Sequence, residues 1–177
     1  MLWTYERVYV IECYNGKWYV GSTLREMHVR LQEHLDKRGS RWTTRHGVKR
    51  LVCCRLVPEG TSNRIENEMT RYLMRKYGWG RVRGGKWVFV KCRNRQWLPP
   101  EFRDLAAADV LPLHRGAMSH FSPELFRLVD AFKVSCRLHD ANHLDSDALP
   151  DPVRSCVSNH LHHVAPTESL AVPLSAQ

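Results

Sequence analysis

The 177-residue sequence contains no run of about 18 apolar residues, so nothing in it is expected to span a membrane. Its opening, MLWTYERVYVIEC, is interrupted by Glu6, Arg7 and Glu12 and lacks the basic-then-apolar layout of a signal peptide. The six cysteines are scattered, two of them adjacent, which argues against a disulfide-stapled secreted domain and for a reducing, intracellular setting. Acidic residues are scarce where basic ones are dense. In residues 1–100, 8 Asp/Glu stand against 21 Lys/Arg, a net of +13, whereas residues 101–177 carry 10 against 6, a net of −4. A compact stretch this basic attracts a polyanion, and nucleic acid is the expected one.

Other scarcities change at the same place. Glycine all but disappears after residue 86, proline is nearly absent before residue 98, and histidine gathers after 113. The expected division is a basic domain over 1–95, a helical appendage over 96–143 and a flexible, Pro-, Ser- and His-containing tail over 144–177. No internal repeat is visible.

Within the basic domain, RVYVIEC (7–13) alternates as a strand does, Asn15-Gly16 signals a hairpin, and KWYVGS (17–22) is the return strand. Thr23-Leu-Arg-Glu26 has the spacing of a capping box, predicting a helix through about Lys37 with Leu24, Met27, Leu31 and Leu35 as its apolar stripe. RWTTRHGVK (41–49) reads as loop or short helix, and RLVCCRLV (50–57) as a third strand. A second helix is predicted from Ser62 to about Tyr77, and 81–92 as a basic turn followed by an edge strand. Helices are also expected near 100–108 and 123–138, each opened by proline. The fold class is α/β (α+β), a small, mainly antiparallel three-stranded sheet flanked by helices.

Three groups in this domain could carry chemistry. Arg30 and His34 are four apart, so they share a helix face that continues toward Lys37 and Arg38. Read alone, that face is a solvated one, presenting a guanidinium and an imidazole outward. Tyr9 and Tyr19 lie on adjacent strands of one hairpin, and the second strand feeds the Arg30 helix. Hairpin register tests whether they cooperate. A two-residue loop would pair Tyr9 with Ser22 and place the tyrosines on opposite faces. A three-residue loop, Tyr14-Asn15-Gly16, would pair Tyr9 with Gly21 and place both on one face, and this is the register expected here. A carboxylate for a divalent metal comes from Glu66 or Glu68 on the later helix. Glu66 stands beside Ile65 and could project toward the sheet, whereas Glu68 reads as solvated.

VYV at 8–10, YVG at 19–21, Arg30-x-x-x-His34 and a glutamate on a later helix together resemble the GIY-YIG nuclease family. GSRWTTRHGVKRL (39–51) and MTRYLMRKYGWGRVRGGKW (69–87) are similar to stand-alone members, including those of phages and large DNA viruses. The resemblance covers about residues 5–90. Val8 replaces the family's Ile, and Arg7 stands where its Gly would be. The resemblance implies an endonuclease that hydrolyses phosphodiester bonds of double-stranded or branched DNA with Mg²⁺ or Mn²⁺. Tyr9 would be the general base or proton relay, and Tyr19 would bond in the same site. Arg30 would neutralise the scissile phosphate, His34 would assist proton transfer, and Glu66, chosen because Thr70 follows it by four, would bind the metal. Gly21 would allow close backbone approach to nucleic acid. Lys37, Arg38, Arg41, Trp42, Arg45, His46, Lys49, Arg81, Arg83 and Lys86 would supply phosphate and stacking contacts.

Two other readings compete: a catalytically idle nucleic-acid-binding module on the same scaffold, and an interaction adaptor recruiting a protein partner through the acidic half. A homing-type nuclease would carry a basic DNA-reading tail; an acidic one favours structure-selective cleavage or targeting by a partner. Cys136-x-x-His139-x-x-x-His143 and Cys156-x-x-x-His160 match zinc spacing only loosely, and no metal is placed there.

Overall fold

The computed structural model describes residues 4–111 and 122–142. The chain divides into two units, Met1–Ser146 and Asp147–Gln177. The second unit, with nearly all of the expected flexible tail and the cysteine and histidine at 156 and 160, lies outside the described residues; so does His143.

Strands β1 (Tyr5–Cys13) and β2 (Lys17–Thr23) form the predicted hairpin. Its loop has three residues, because Cys13 pairs with Lys17 and Tyr9 with Gly21. Asn15 and Gly16 turn it with φ of 59° and 61°, the left-handed region that Asn and Gly tolerate best. This register puts Tyr9, Ile11, Cys13 and Tyr19 on one face and Val8, Val10, Trp18 and Val20 on the other.

Strand β3 (Val48–Pro58) pairs antiparallel with β1 on its other side. The expected third strand is therefore present, but the sheet has a fourth. Strand β4 (Val82–Arg83) pairs parallel with Trp18 and Tyr19, giving the order β3-β1-β2-β4. The strand expected after the glycine pair does not form. The chain reverses through Gly84-Gly85, with a single bridge from Gly84 to Trp87, so the sheet contact comes from the residues before the turn.

Helix α1 (Met27–Leu35) begins later than the capping box predicts. Thr23 Oγ1 accepts from Arg25 N–H, two residues on, and Glu26 pairs with Arg7 across the hairpin, so neither reaches back to cap the helix. Its expected apolar stripe is also thin: Leu24 and Leu35 are exposed, and Met27 and Leu31 are only partly covered. The single residue of α1 that is fully buried is His34.

Helix α2 (Arg41–His46) is short and capped by Ser40, whose side chain accepts from Thr43 N–H. Helices α1 and α2 pack on the Tyr9 face of the sheet. The opposite face carries α3 (Ser62–Tyr77) and α4 (Pro123–Asn142), with Ile65, Met69, Leu73, Leu125, Leu128 and Phe132 closing the main core. The appendage thus packs into the same core as the basic domain. Leu98 and Phe102 join it, but 100–108 is a single 3₁₀ turn (Pro100–Phe102) followed by irregular chain, not the helix expected there. Glu68 is not solvated: it accepts from both the hydroxyl and N–H of Ser122, the residue before α4.

Candidate active site

The three-residue hairpin loop decides the site's geometry, because it sets both phenols under α1. Tyr9 is wholly buried and Tyr19 nearly so. Their rings lie 6.4 Å apart, and the His34 imidazole sits edge-on to both, at 5.8 Å from Tyr9 and 5.3 Å from Tyr19. Arg30 and His34 share a helix face as the spacing predicts, but the face points inward. Tyr9 Oη takes a hydrogen bond from Arg30 Nε at 3.1 Å and lies 2.9 Å from His34 Nε2. On its far side, His34 Nδ1 is 2.7 Å from Thr43 Oγ1. Arg30 Nη1 also donates to Glu33 at 2.5 Å, and Arg25 pairs with the same carboxylate.

Burial drives the ionisation of this cluster. It pushes both phenols well above the ordinary tyrosine value, each raised further by the other ring or by the Glu66 carboxylate and only partly relieved by Arg30. Burial, with the neighbouring Arg30 charge, lowers His34 to about 4, so its imidazole is neutral at neutral pH. Burial is the largest single influence on Arg30 and works against its charge, but the hydrogen bonds and electrostatic pull of Tyr9 and Tyr19 together outweigh it, and the guanidinium is held more firmly charged.

Glu66 arrives from α3, on the other face of the sheet. Strand β4 pairs only with Trp18 and Tyr19, so the part of β2 carrying Gly21 and Ser22 lies beyond that ladder. At this edge Ser22 Oγ donates to Glu66 Oε2 and Gly85 N–H to Oε1, both at 2.6 Å. Burial raises the carboxyl above its ordinary value, opposed by these two bonds and by the Arg30 charge. The five residues named from the sequence for chemistry are thus assembled at one edge: Tyr9, Tyr19, Arg30 and His34 in direct contact, and Glu66 close enough to shift both phenols.

The expected nucleic-acid contacts divide. Lys37, Arg38, Arg41, Arg45, Lys49, Arg81 and Lys86 are exposed and His46 is half-buried; of these, Arg38 pairs with Asp36 and Lys49 with Glu12. Trp42 and Arg83 do not fit the expectation. Trp42 is buried, donates from Nε1 to the Trp18 carbonyl, and has no face to offer a base. Arg83 is 4 % exposed, stacks 4.6 Å from the Trp42 ring, and gives its donors to the carbonyls of Trp79, Val82 and Phe89. Both are internal struts. Gly21 is also buried, and packing explains it: an added Cβ would meet Tyr9 Oη at 2.5 Å and Tyr19 Cε1 at 2.9 Å.

Sequence reasoning missed Thr43, Ser22 and the Gly85 amide. Thr43 follows Ser40 by three, the spacing of a helix cap, which is the one local signal of its place. Ser22 and Gly85 act through long-range contacts with no local pattern.

Phenols, an arginine, a histidine and a buried glutamate thus gather at one sheet edge, beneath a surface that carries exposed basic residues. Residues 5–71 match the family model of the GIY-YIG catalytic domain, and over that stretch the chain is similar to a domain of nuclease type. No curated protein and no solved structure matches the chain. Among the described residues no helix is long and apolar enough to cross a membrane.

Proposed function

We propose that the chain is a divalent-metal-dependent endonuclease that hydrolyses DNA phosphodiester bonds. The observation that carries this reading is the double engagement of Tyr9 Oη, with Arg30 Nε at 3.1 Å and His34 Nε2 at 2.9 Å, at the edge where Glu66 is buried.

Arg30 can only donate, so the Tyr9 oxygen accepts from it, and the phenol's own proton is directed to His34 Nε2. A water aligned on the phosphorus gives its proton to the Tyr9 oxygen as the phenol proton passes to His34. The phenol is then regenerated without a free phenolate, which its burial disfavours. Arg30, beside the same oxygen, offers positive charge where the pentavalent phosphate gathers negative charge. Tyr19, ring to ring with Tyr9 and His34, fills the pocket and excludes bulk water.

Glu66 fits a hard divalent cation. Its oxygens are bonded by a hydroxyl and an amide and form no ion pair, so its charge is uncompensated by direct contact. Among the described residues no group of three or more His, Cys, Asp or Glu stands ready for a metal, so Glu66 would be the single protein ligand, with water and phosphate oxygens supplying the rest, as suits Mg²⁺ or Mn²⁺. When bound, the ion supplies Lewis-acid stabilisation of the phosphate.

Cleavage of supercoiled plasmid and branched DNA, with Mg²⁺ and with EDTA, tests the reading. Nicking by the intact protein that EDTA and Glu66→Gln both abolish, with folding and DNA binding retained, is the expected result. Salt-sensitive binding without cleavage of any substrate would leave a binding module instead.

A further inference from the structure

The relay from Tyr9 to His34 needs a lone pair on Nε2, and the structure contains a device that puts it there. Thr43 Oγ1 donates its single proton to the Ser40 carbonyl, 3.0 Å away. With that proton directed at the carbonyl, the 2.7 Å contact between Thr43 Oγ1 and His34 Nδ1 runs the other way, with Nδ1–H donating, and Ser40 Oγ, 3.1 Å from Thr43 Oγ1, is free to donate to the same oxygen. In a neutral imidazole this leaves Nε2 unprotonated and facing Tyr9 Oη. The Ser40 N–H also points at Nδ1, but from 3.5 Å, the outer limit of hydrogen bonding, against 2.7 Å for the Thr43 contact. The backbone closes the remaining side: a Cβ on Gly39 would meet His34 Nδ1 at 2.2 Å, so the ring is held against a bare α-carbon. Both His34 and Thr43 are 1 % exposed, so no bulk water substitutes for either partner.

We propose that Thr43 is a positioning residue that fixes the His34 tautomer, completing a one-way chain from Arg30 through Tyr9, His34 and Thr43 to the Ser40 carbonyl. Its catalytic consequence rests on the nuclease reading; the tautomer assignment does not. When the Tyr9 proton moves to Nε2, Nδ1–H stays bonded to Thr43, and the imidazolium that forms keeps both N–H groups partnered. Ser40 serves twice, capping α2 through its side chain and orienting the Thr43 hydroxyl through its carbonyl. The Gly39–Thr43 segment therefore governs a proton that its own side chains never touch.

The test is the long-range ¹H–¹⁵N correlation spectrum of histidine in the full-length ¹⁵N-labelled protein at neutral pH, with His34 assigned as the signal lost in His34→Gln. An Nδ1–H tautomer is expected. Thr43→Val should shift His34 toward the Nε2–H form or a mixture, and Thr43→Ser should restore the native pattern. In cleavage assays with Mg²⁺, Thr43→Val should lower kcat on the order of 10–100-fold with little change in KM, as for other partners that orient a functional histidine, and Thr43→Ser should recover most of it. A native spectrum showing Nε2–H, or a Thr43→Val spectrum unchanged from native, overturns the proposal whether or not DNA is cut. The expected spectra in a protein that cuts nothing would uphold Thr43's role and sink the nuclease reading alone. Should Thr43→Val fail to fold, the native tautomer still decides.

Discussion

His34 is where burial and chemistry meet in a single side chain. Helix α1 covers the sheet mainly through this imidazole, and the fold holds it neutral, with a pKa lowered from 6.5 to about 4 by burial and by Arg30. The folded value lies below the unfolded one, so between about pH 6.5 and pH 4 the unfolded chain binds a proton that the native chain refuses. Stability is therefore full above that window and falls as the pH drops through it, by on the order of 3 kcal/mol. Urea unfolding at pH 7 and pH 4.5 should show this loss in the native protein, and His34→Gln should remove much of the pH dependence while lowering stability at pH 7. An equal loss in both proteins would mean that other groups carry the acid sensitivity. Gly21 is the second residue on which the site's packing turns. A methyl there meets Tyr9 Oη at 2.5 Å and Cζ at 2.6 Å, on buried rings with nowhere to go. Gly21→Ala should cost about 1–3 kcal/mol in chemical denaturation, typical of overpacking. It should also weaken the Tyr9–His34 contact, so activity is expected to fall further than stability alone accounts for.

At the scale of elements, what could be read from the sequence depended on whether the controlling interaction is local. The hairpin register was legible because Asn15 and Gly16 tolerate positive φ and because both tyrosines had to share a face. The span of α3 was legible because its apolar positions repeat at helical spacing before Gly78. The start of α1 was not, since Thr23 and Glu26 fit a capping box yet are drawn off by Arg25 N–H and by Arg7, one of them 19 residues away. The inward turn of Arg30 and His34 was hidden for the same reason: a polar helix face reads as solvated until the sheet supplies a partner. β4 was misplaced because two residues carry no strand pattern. Helix α4 was set apart from the basic domain by the composition shift, yet its core contacts join the two. Phe132 is fully buried and packs edge-on against Trp18 at 5.5 Å and Tyr72 at 6.4 Å, and Leu125 and Leu128 join the same core. Truncation of such a residue costs about 3–5 kcal/mol, so Phe132→Ala should destabilise the sheet and α4 together. A single urea transition, coincident by Trp fluorescence and far-UV circular dichroism and shifted as one, is the expected outcome. Separate transitions would make α4 an independent appendage after all.

Over the whole molecule, the +13 of residues 1–100 is divided between cations that face solvent and cations that hold the fold, and only the first kind can meet DNA. Lys17 shows how crowded the charge is near the hairpin loop. Burial together with Arg81 and Arg83 lowers its pKa, and burial with Lys17, Arg45 and Arg83 lowers that of His46. Phosphate contact would relieve this mutual repulsion as counterions leave the nucleic acid. Arg45 and Arg81 are exposed, whereas Arg83 is committed to three backbone carbonyls. The two kinds should separate experimentally. DNA affinity measured from low to moderate salt should fall linearly on a double-logarithmic plot. The double variant Arg45→Ala/Arg81→Ala should make that slope shallower by about 2, close to one counterion for each phosphate no longer neutralised, with little change in thermal stability. Arg83→Ala should leave the slope of the folded fraction nearly unchanged and lower the melting temperature, because it opens a cavity beside Trp42 and strands the Trp79, Val82 and Phe89 carbonyls. If the double variant kept the native slope, the DNA would run elsewhere than past the hairpin loop, and the exposed Lys37, Arg41 and Lys86 would be the next cations to remove.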